Sequence, residues 1–304
     1  MISFRYHIVT IVAVFLALAI GLLGGGAFVQ PALQQQLEDQ TAELRRTNAA
    51  QREDIDDLHR QTAAMEAFSD AALPYLTRDR LLGTRVVIVT QDGVADPVLA
   101  EAQRALGDAG AEVVAVLTAR DAIASDDVDT QQRLGDIIGR PTALGVDLPS
   151  LTAGAVADRL AGGHAPENPE EDLLARLLSA GFLTSTDEGT ALDEVGGPGQ
   201  VVVVLGGGLA EEPVLTPADF GVPLASRLVE LQVEVAAGES TETPPAVSLV
   251  TDLRNELGDA VVTVDNLELS MGGAALVLGI DGLATRGGGV YGFGDGADPL
   301  PPLP

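Results

Sequence analysis

Asp92 and Asp265 each stand just past a run of residues that reads as a β-strand, and Gly206-Gly207-Gly208 closes a third such run. Open α/β sheets bind ligands at the carboxyl ends of their strands, so Asp92, Gly206 and Asp265 define a candidate crevice. Two aspartates meeting there would offer hard oxygen ligands to a cation. Each also has the commoner role of capping a helix or closing a turn. A glycine run after a strand can cradle a phosphate, yet Glu211 and Glu212 follow this one, with no lysine and no Gly-Lys-Ser/Thr ending. The glycines therefore read as tight turns. His7, His59 and His164 fall before an apolar segment, in a polar helical stretch and in a loop, so they cannot converge within one chain. Met1, Met65 and Met271 are equally scattered, and there is no cysteine. Disulfides and thiolate metal sites are excluded, and no cluster of soft ligands exists. No Ser-His-Asp or Cys-His arrangement is present either. Neither catalysis nor a resident cofactor is expected.

The elements that must position these residues alternate in type. Val86 to Thr90 is an apolar run, the mark of a strand buried on both faces. Asp92-Gly93 makes a turn, and Pro97 to Leu106 reads as a helix with Val98, Leu99, Ala102 and Leu106 inward. Val113 to Leu117 is a second buried strand, which completes a βαβ unit with a parallel crossover. Val201 to Leu205 is a third strand, Pro223 to Leu231 a short helix, and Gln232 to Ala236 a fourth strand. Pro244-Pro245 opens a helix with Val247, Val250, Leu253 and Leu257 on one face. Val261 to Val264 is a fifth strand, and Ser270 is placed to cap a last helix that buries Ala274, Leu276, Val277 and Ile280. The pattern predicts an α/β fold, a doubly wound and mainly parallel sheet. Residues 121–199 interrupt it with helical stretches near Leu151 to Leu160 and Glu170 to Ala180, joined by the segment from Gly162 to Pro169, and read as a helical insertion. The tail, 286–304, is Gly-rich and then Pro-rich and is expected to be irregular.

Ahead of this domain, Ile8 to Val29 carries no charged side chain over 22 residues. As a helix the run rises about 33 Å, enough to cross a hydrocarbon core of about 30 Å. Its length favours a retained anchor; the alternative is a signal peptide cleaved after Gly25-Gly26-Ala27. Arg5 precedes the run, whereas Glu38, Asp39 and Glu43 follow it before the first basic residues, Arg45 and Arg46. Positive charge stays in the cytoplasm, which puts the N-terminus inside and the bulk of the chain outside the cell membrane. Ala13, Ala17, Gly21 and Gly25 recur every four residues, a small-residue stripe that lets a second helix approach closely. Leu33 to Phe68 then contains no Gly and no Pro. Leu37, Leu44, Leu58 and Met65 share one seven-residue register with Gln51 in the gap, while Asn48 and Ile55 occupy the companion position along with Thr41 and Thr62. A single core Asn fixes register in paired helices, so the stretch predicts a parallel two-stranded coiled coil and hence a homodimer. The alternative is a lone helix lying on the globular part. The expected organisation is a cytoplasmic N-terminus (1–7), a transmembrane helix (8–29), a coiled-coil stalk (30–73) ended by Pro74, an α/β domain (74–285) and the tail.

Net charge is −28 with a pI near 4.1, and all 17 basic residues are arginine. Such a surface repels nucleic acid and anionic headgroups. The opening Ile2-Ser3-Phe4-Arg5-Tyr6-His7, running into Ile11 to Leu18, resembles the start of the actinobacterial copper transport protein B (MctB) family. Further similarity lies in Thr263-Val264-Asp265-Asn266, the helix after it, and Tyr291-Gly292. The order of span, heptad stalk and α/β domain also matches. The resemblance implies a role in copper efflux or homeostasis, since members are described as outer-membrane, channel-forming proteins that lower cellular copper. It carries over no metal-binding residue. A transmembrane barrel needs strands of about ten residues that alternate apolar and polar, whereas the strands here are short, continuously apolar and separated by helices. Two further readings are a structural or interaction module of the envelope with indirect copper effects, and a domain that binds carbohydrate or nucleotide in the crevice.

Overall fold

The first strand, Arg85–Gln91 (β1), is Val-rich, and all but its first residue are buried, as its continuous apolar run requires. The computed structural model describes residues 4–140, 147–163, 171–186, 192–208 and 213–302, and of residues 4–5 and 24–38 only the backbone. The chain divides into two compact units, Met1–Met65 and Glu66–Pro304.

The helix α1, Phe4–Thr77, begins in the first unit and ends in the second. Within the first unit, Tyr6–Leu23 is apolar and long enough to cross a membrane, a property that an anchor and an N-terminal signal sequence share. Ala17 and Gly21 are exposed there, as are Leu44, Asn48, Ile55, Leu58 and Met65. The side chains at Gly25 and Leu37 lie outside the described residues. Pro74 does not end the helix, which continues to Thr77. A proline in a last turn forfeits one backbone hydrogen bond, and the Pro74 carbonyl still accepts one from the Arg78 N–H at 3.1 Å.

The second unit is a mixed α/β structure around a seven-stranded, mostly parallel sheet. After β1 come α2 (Asp96–Asp108), β2 (Glu112–Ala119), a 3₁₀ turn (Asp121–Ala124), α3 (Val128–Ile137), α4 (Leu148–Gly162), α5 (Leu173–Ser179) and β3 (Leu183–Ser185). Then follow β4 (Gln200–Leu205), α6 (Gly221–Glu230), β5 (Glu234–Gly238), a 3₁₀ turn (Pro245–Val247), α7 (Leu249–Leu257), β6 (Val262–Val264), α8 (Ser270–Arg286) and β7 (Gly289–Tyr291). The spatial order is β3-β2-β1-β4-β5-β6-β7, and only the β2–β3 pair is antiparallel.

Side chains alternate across the sheet into two cores. Val87, Val89, Val202 and Val204 face one core with Val156 and Leu160 of α4, Leu224 and Leu228 of α6, and Leu253 of α7. Val86, Ile88, Val201 and Val203 face the other with Val98 and Leu106 of α2 and Leu276 and Ile280 of α8. Each fully buried Val or Leu side chain contributes about 1.5–3 kcal/mol, so β1 and β4 anchor the fold.

Helix starts follow their local chemistry. The Asp147 carboxylate caps α4, Asp172 caps α5, and the Ser248 hydroxyl caps α7, each accepting from an N–H of the first turn. Ser270 does not cap α8: Leu269 holds that position with no side-chain bond, and the Ser270 hydroxyl reaches Asp70 instead. The sheet has two strands beyond the five expected. β3 falls in the stretch read as helical insertion and β7 in the tail read as irregular; each is an edge strand of three residues.

Candidate functional site

The strand sequence reverses direction in space at β1, whose neighbours are β2 and β4. That reversal is where an open α/β sheet ordinarily leaves a crevice. Here the two loops that would flank it are joined, since Val94 pairs with Gly208 in an antiparallel bridge. A side chain at Gly208 would begin 2.6 Å from the Gly93 carbonyl oxygen. Gly206 faces the first residue of α7 just as closely: a Cβ added to it would lie 2.5 Å from the Leu249 Cβ. At Gly207 φ is +74°, a conformation that favours glycine, and Thr243 lies against it. These glycines admit close approach of neighbouring side chains at Gly206 and Gly207 and of backbone at Gly208. Glu211 and Glu212 lie outside the described residues.

Asp92 and Asp265 are not brought to one cleft. The Asp92 carboxylate pairs with Arg120 at 3.0 Å and accepts from the Asp121 N–H at 3.0 Å, which ties the end of β1 to the end of β2. Asp265 lies further along the same edge, after β6. It pairs with the Arg254 guanidinium at 2.9 Å and accepts from the Phe293 and Gly294 N–H groups at 2.7 and 3.1 Å. Arg254 in turn donates to the Thr263 hydroxyl at 3.1 Å and the Tyr291 carbonyl at 3.0 Å. This cluster fastens the edge strand β7 and its following loop to β6.

Beside it, at the carboxyl ends of β5, β6 and β7, is a cleft of about 530 Å³, within the ~300–1,000 Å³ of small-molecule sites. Asp265 lines it, whereas Asp92 and Gly206 do not. Glu239, directly after β5, is the buried acid of this cleft. Its carboxylate accepts from the Ser248 hydroxyl and from the Val250 N–H at 3.2 Å, so it satisfies the first turn of α7. Burial pushes its pKa up to about 7, against the opposing pull of those hydrogen bonds and of Arg254. Thr243, Thr251 and Asn255 line the walls, and the Phe293 ring, 58% exposed, stands at the same cleft.

Sequence reasoning placed Asp265 at this edge and missed Glu239, Arg254 and Phe293. The expected fourth strand ended at Ala236, while β5 runs to Gly238, and that shift hides Glu239 as the residue at the strand's end. Phe293 follows β7, itself unexpected.

Among the described residues, no group of three or more His, Cys, Asp or Glu is disposed to hold a metal ion. His59 is exposed, Met65 is exposed, and Met271 lies in the first turn of α8. His164 lies outside the described residues.

A family model described as "Copper transport outer membrane protein, MctB" matches residues 1–302. The copper transporter MctB of Mycobacterium tuberculosis (strain ATCC 25618 / H37Rv) is 25% identical over 315 residues, covering 98% of each chain. That of Mycobacterium leprae (strain TN) is 25% identical over 317 residues, again covering 98% of each.

Proposed function

The chain belongs to the MctB family of copper transport outer membrane proteins, and from that premise we propose that it acts in copper efflux or homeostasis at the cell envelope, without catalysis. The observation that carries this reading is the family match along residues 1–302, span and α/β unit together. In this reading the apolar helix is retained as an anchor, the N-terminus is cytoplasmic, and the doubly wound α/β domain stands outside the cell membrane. Helices packed against both faces of the sheet support the double winding.

Copper is cargo here, not a resident cofactor. With no cysteine and only three methionines, far apart in the sequence, the chain supplies few soft ligands for Cu(I). A copper pathway built on it requires several chains or a partner. Cells lacking the protein should hold more copper than their parent at equal external copper, and the full-length gene should restore the parental level. Equal copper contents, measured by mass spectrometry, would contradict the reading.

A second reading, a dimeric structural or interaction module of the envelope with an α/β ligand-binding domain and only indirect copper effects, is favoured by the exposed apolar residues of the stalk. Leu44, Ile55, Leu58 and Met65 lie at heptad spacings and are all exposed in the single chain, as the unpaired seam of a coiled coil would be. Ala17, Gly21 and Gly25 would continue the contact in the bilayer, with Leu37 and Asn48 completing the seam. Leu58→Glu sets two like charges opposite each other in the pair. It is expected to convert the full-length dimer to monomer in light-scattering measurements, while circular dichroism stays unchanged. A dimer that persists would remove the stalk from the interface.

A further inference from the structure

We propose that the cleft at the carboxyl ends of β5, β6 and β7 binds a small neutral saccharide. This goes beyond the copper role and does not depend on it. Three features of the cleft select that ligand.

The first is that its walls are fixed before any ligand arrives. Glu239 holds the first turn of α7 through Ser248 and Val250, and Asp265 holds the loop after β7 through the Phe293 and Gly294 N–H groups. On the remaining side, Glu268 accepts from the Thr241 N–H at 3.2 Å. Little ordering cost is left for binding.

The second is charge. The lining carries Asp265 and Asp295, joined by Glu239 when it ionises, against one cation, Arg254, and the chain as a whole carries −28. A phosphate or carboxylate ligand would meet a repulsive field. A cation fares no better at the two acids whose partners are defined. Asp265 is taken up by Arg254 and two backbone N–H groups, and Glu239 by a hydroxyl and a backbone N–H. With those two acids engaged, an uncharged ligand suits this lining best.

The third is the pattern of polar groups. The Asn255 amide, exposed on α7, both donates and accepts, while the Thr251 hydroxyl, 2.7 Å from the Ser248 oxygen, and the Thr243 hydroxyl, which donates to the Gly207 carbonyl at 3.5 Å, each keep one further hydrogen bond to offer. Vicinal sugar hydroxyls likewise donate and accept. The exposed Phe293 ring offers the apolar surface on which the C–H face of a pyranose or furanose packs. The pairing of one aromatic face with a few convergent polar groups is the usual make-up of a small-molecule site.

The test uses the full chain in phosphatidylcholine nanodiscs, titrated with trehalose, galactose, arabinose and N-acetylglucosamine by saturation-transfer-difference NMR and calorimetry, with inorganic phosphate in parallel. At least one sugar is expected to bind with a Kd of about 1 mM or tighter, and phosphate is expected not to bind. Asn255→Ala and Phe293→Ala should each weaken that sugar about tenfold without moving the melting temperature, because both side chains are exposed. No saturable binding of any sugar in the panel would overturn the proposal. So would phosphate competing at the site, or affinity unchanged in both variants.

Discussion

Replacing Asp172 by alanine is expected to lower the unfolding free energy of the Glu66–Pro304 unit by about 3–5 kcal/mol, the cost of leaving one partner of a buried ion pair alone. Arg159 and Asp172 are 9% and 1% exposed. Their contact is bidentate, Nε to Oδ1 at 2.7 Å and a terminal nitrogen to Oδ2 at 3.2 Å. The same guanidinium donates to the Val195 and Leu192 carbonyls at 2.9 and 3.0 Å, and Asp172 caps α5 through the Leu174 N–H. Removing the carboxylate therefore strands a buried arginine, uncaps a helix and loosens the segment leading into β4. The exposed Arg104–Asp108 pair on α2 offers a contrast, since water screens both partners and its loss changes little. Urea denaturation of the full chain, followed by circular dichroism, measures the difference. The double variant Arg159→Leu/Asp172→Leu should recover much of the loss, because an apolar pair leaves no unpaired charge. A midpoint for Asp172→Ala that coincides with the parent would show the pair to be dispensable.

This ion pair illustrates what was hidden in the sequence. Nothing in the spacing of Arg159 and Asp172 marks them as partners, and Asp172 fell inside a helical stretch expected from Glu170 to Ala180. It stands instead at the cap of α5, which begins at Leu173. What could be read was whatever local pattern decides. β1, β2 and β4 are runs of Val and Leu long enough that only a strand buried on both faces accommodates them. The helix that begins with Asp96-Pro97 carried its own start signal, whereas the one expected to open at Pro244-Pro245 starts at Leu249, because Pro245–Val247 forms a 3₁₀ turn and Ser248 supplies the cap. β3 and β7 carried no such signal, because three residues are too few for periodicity to speak, and their strand state comes from the neighbour they pair with. The site divides the same way. Asp265 was legible as a polar residue after a strand. Its partner Arg254 and the loop at Phe293 join it only through tertiary packing. Asp92, equally legible, is turned to Arg120 at another part of the edge.

Glu239 should make the protein less stable as pH rises from about 4.5 to about 7. Its ordinary value is 4.5, and burial raises it to about 7 in the folded chain. Within that window the folded state therefore binds more protons than the unfolded state, and stability falls with increasing pH. Below the window the carboxyl is protonated in both states and the effect vanishes. Above it the folded chain keeps a buried carboxylate, at a cost of roughly 3 kcal/mol. Glu239→Gln removes the ionisation while keeping the geometry. The amide oxygen can accept from the Val250 N–H, and its NH₂ can donate to the Ser248 oxygen, whose own proton turns to the Thr251 hydroxyl 2.7 Å away. The many other acids of this chain also titrate near the lower end of the window, so the informative quantity is the difference between parent and variant at each pH. Relative to its value at pH 4.5, that difference should grow in the variant's favour by roughly 3 kcal/mol at pH 8. Unfolding free energies that run parallel across the whole range would mean that the Glu239 carboxyl ionises as freely in the folded chain as in water. That result would contradict the burial of Glu239 in the cleft.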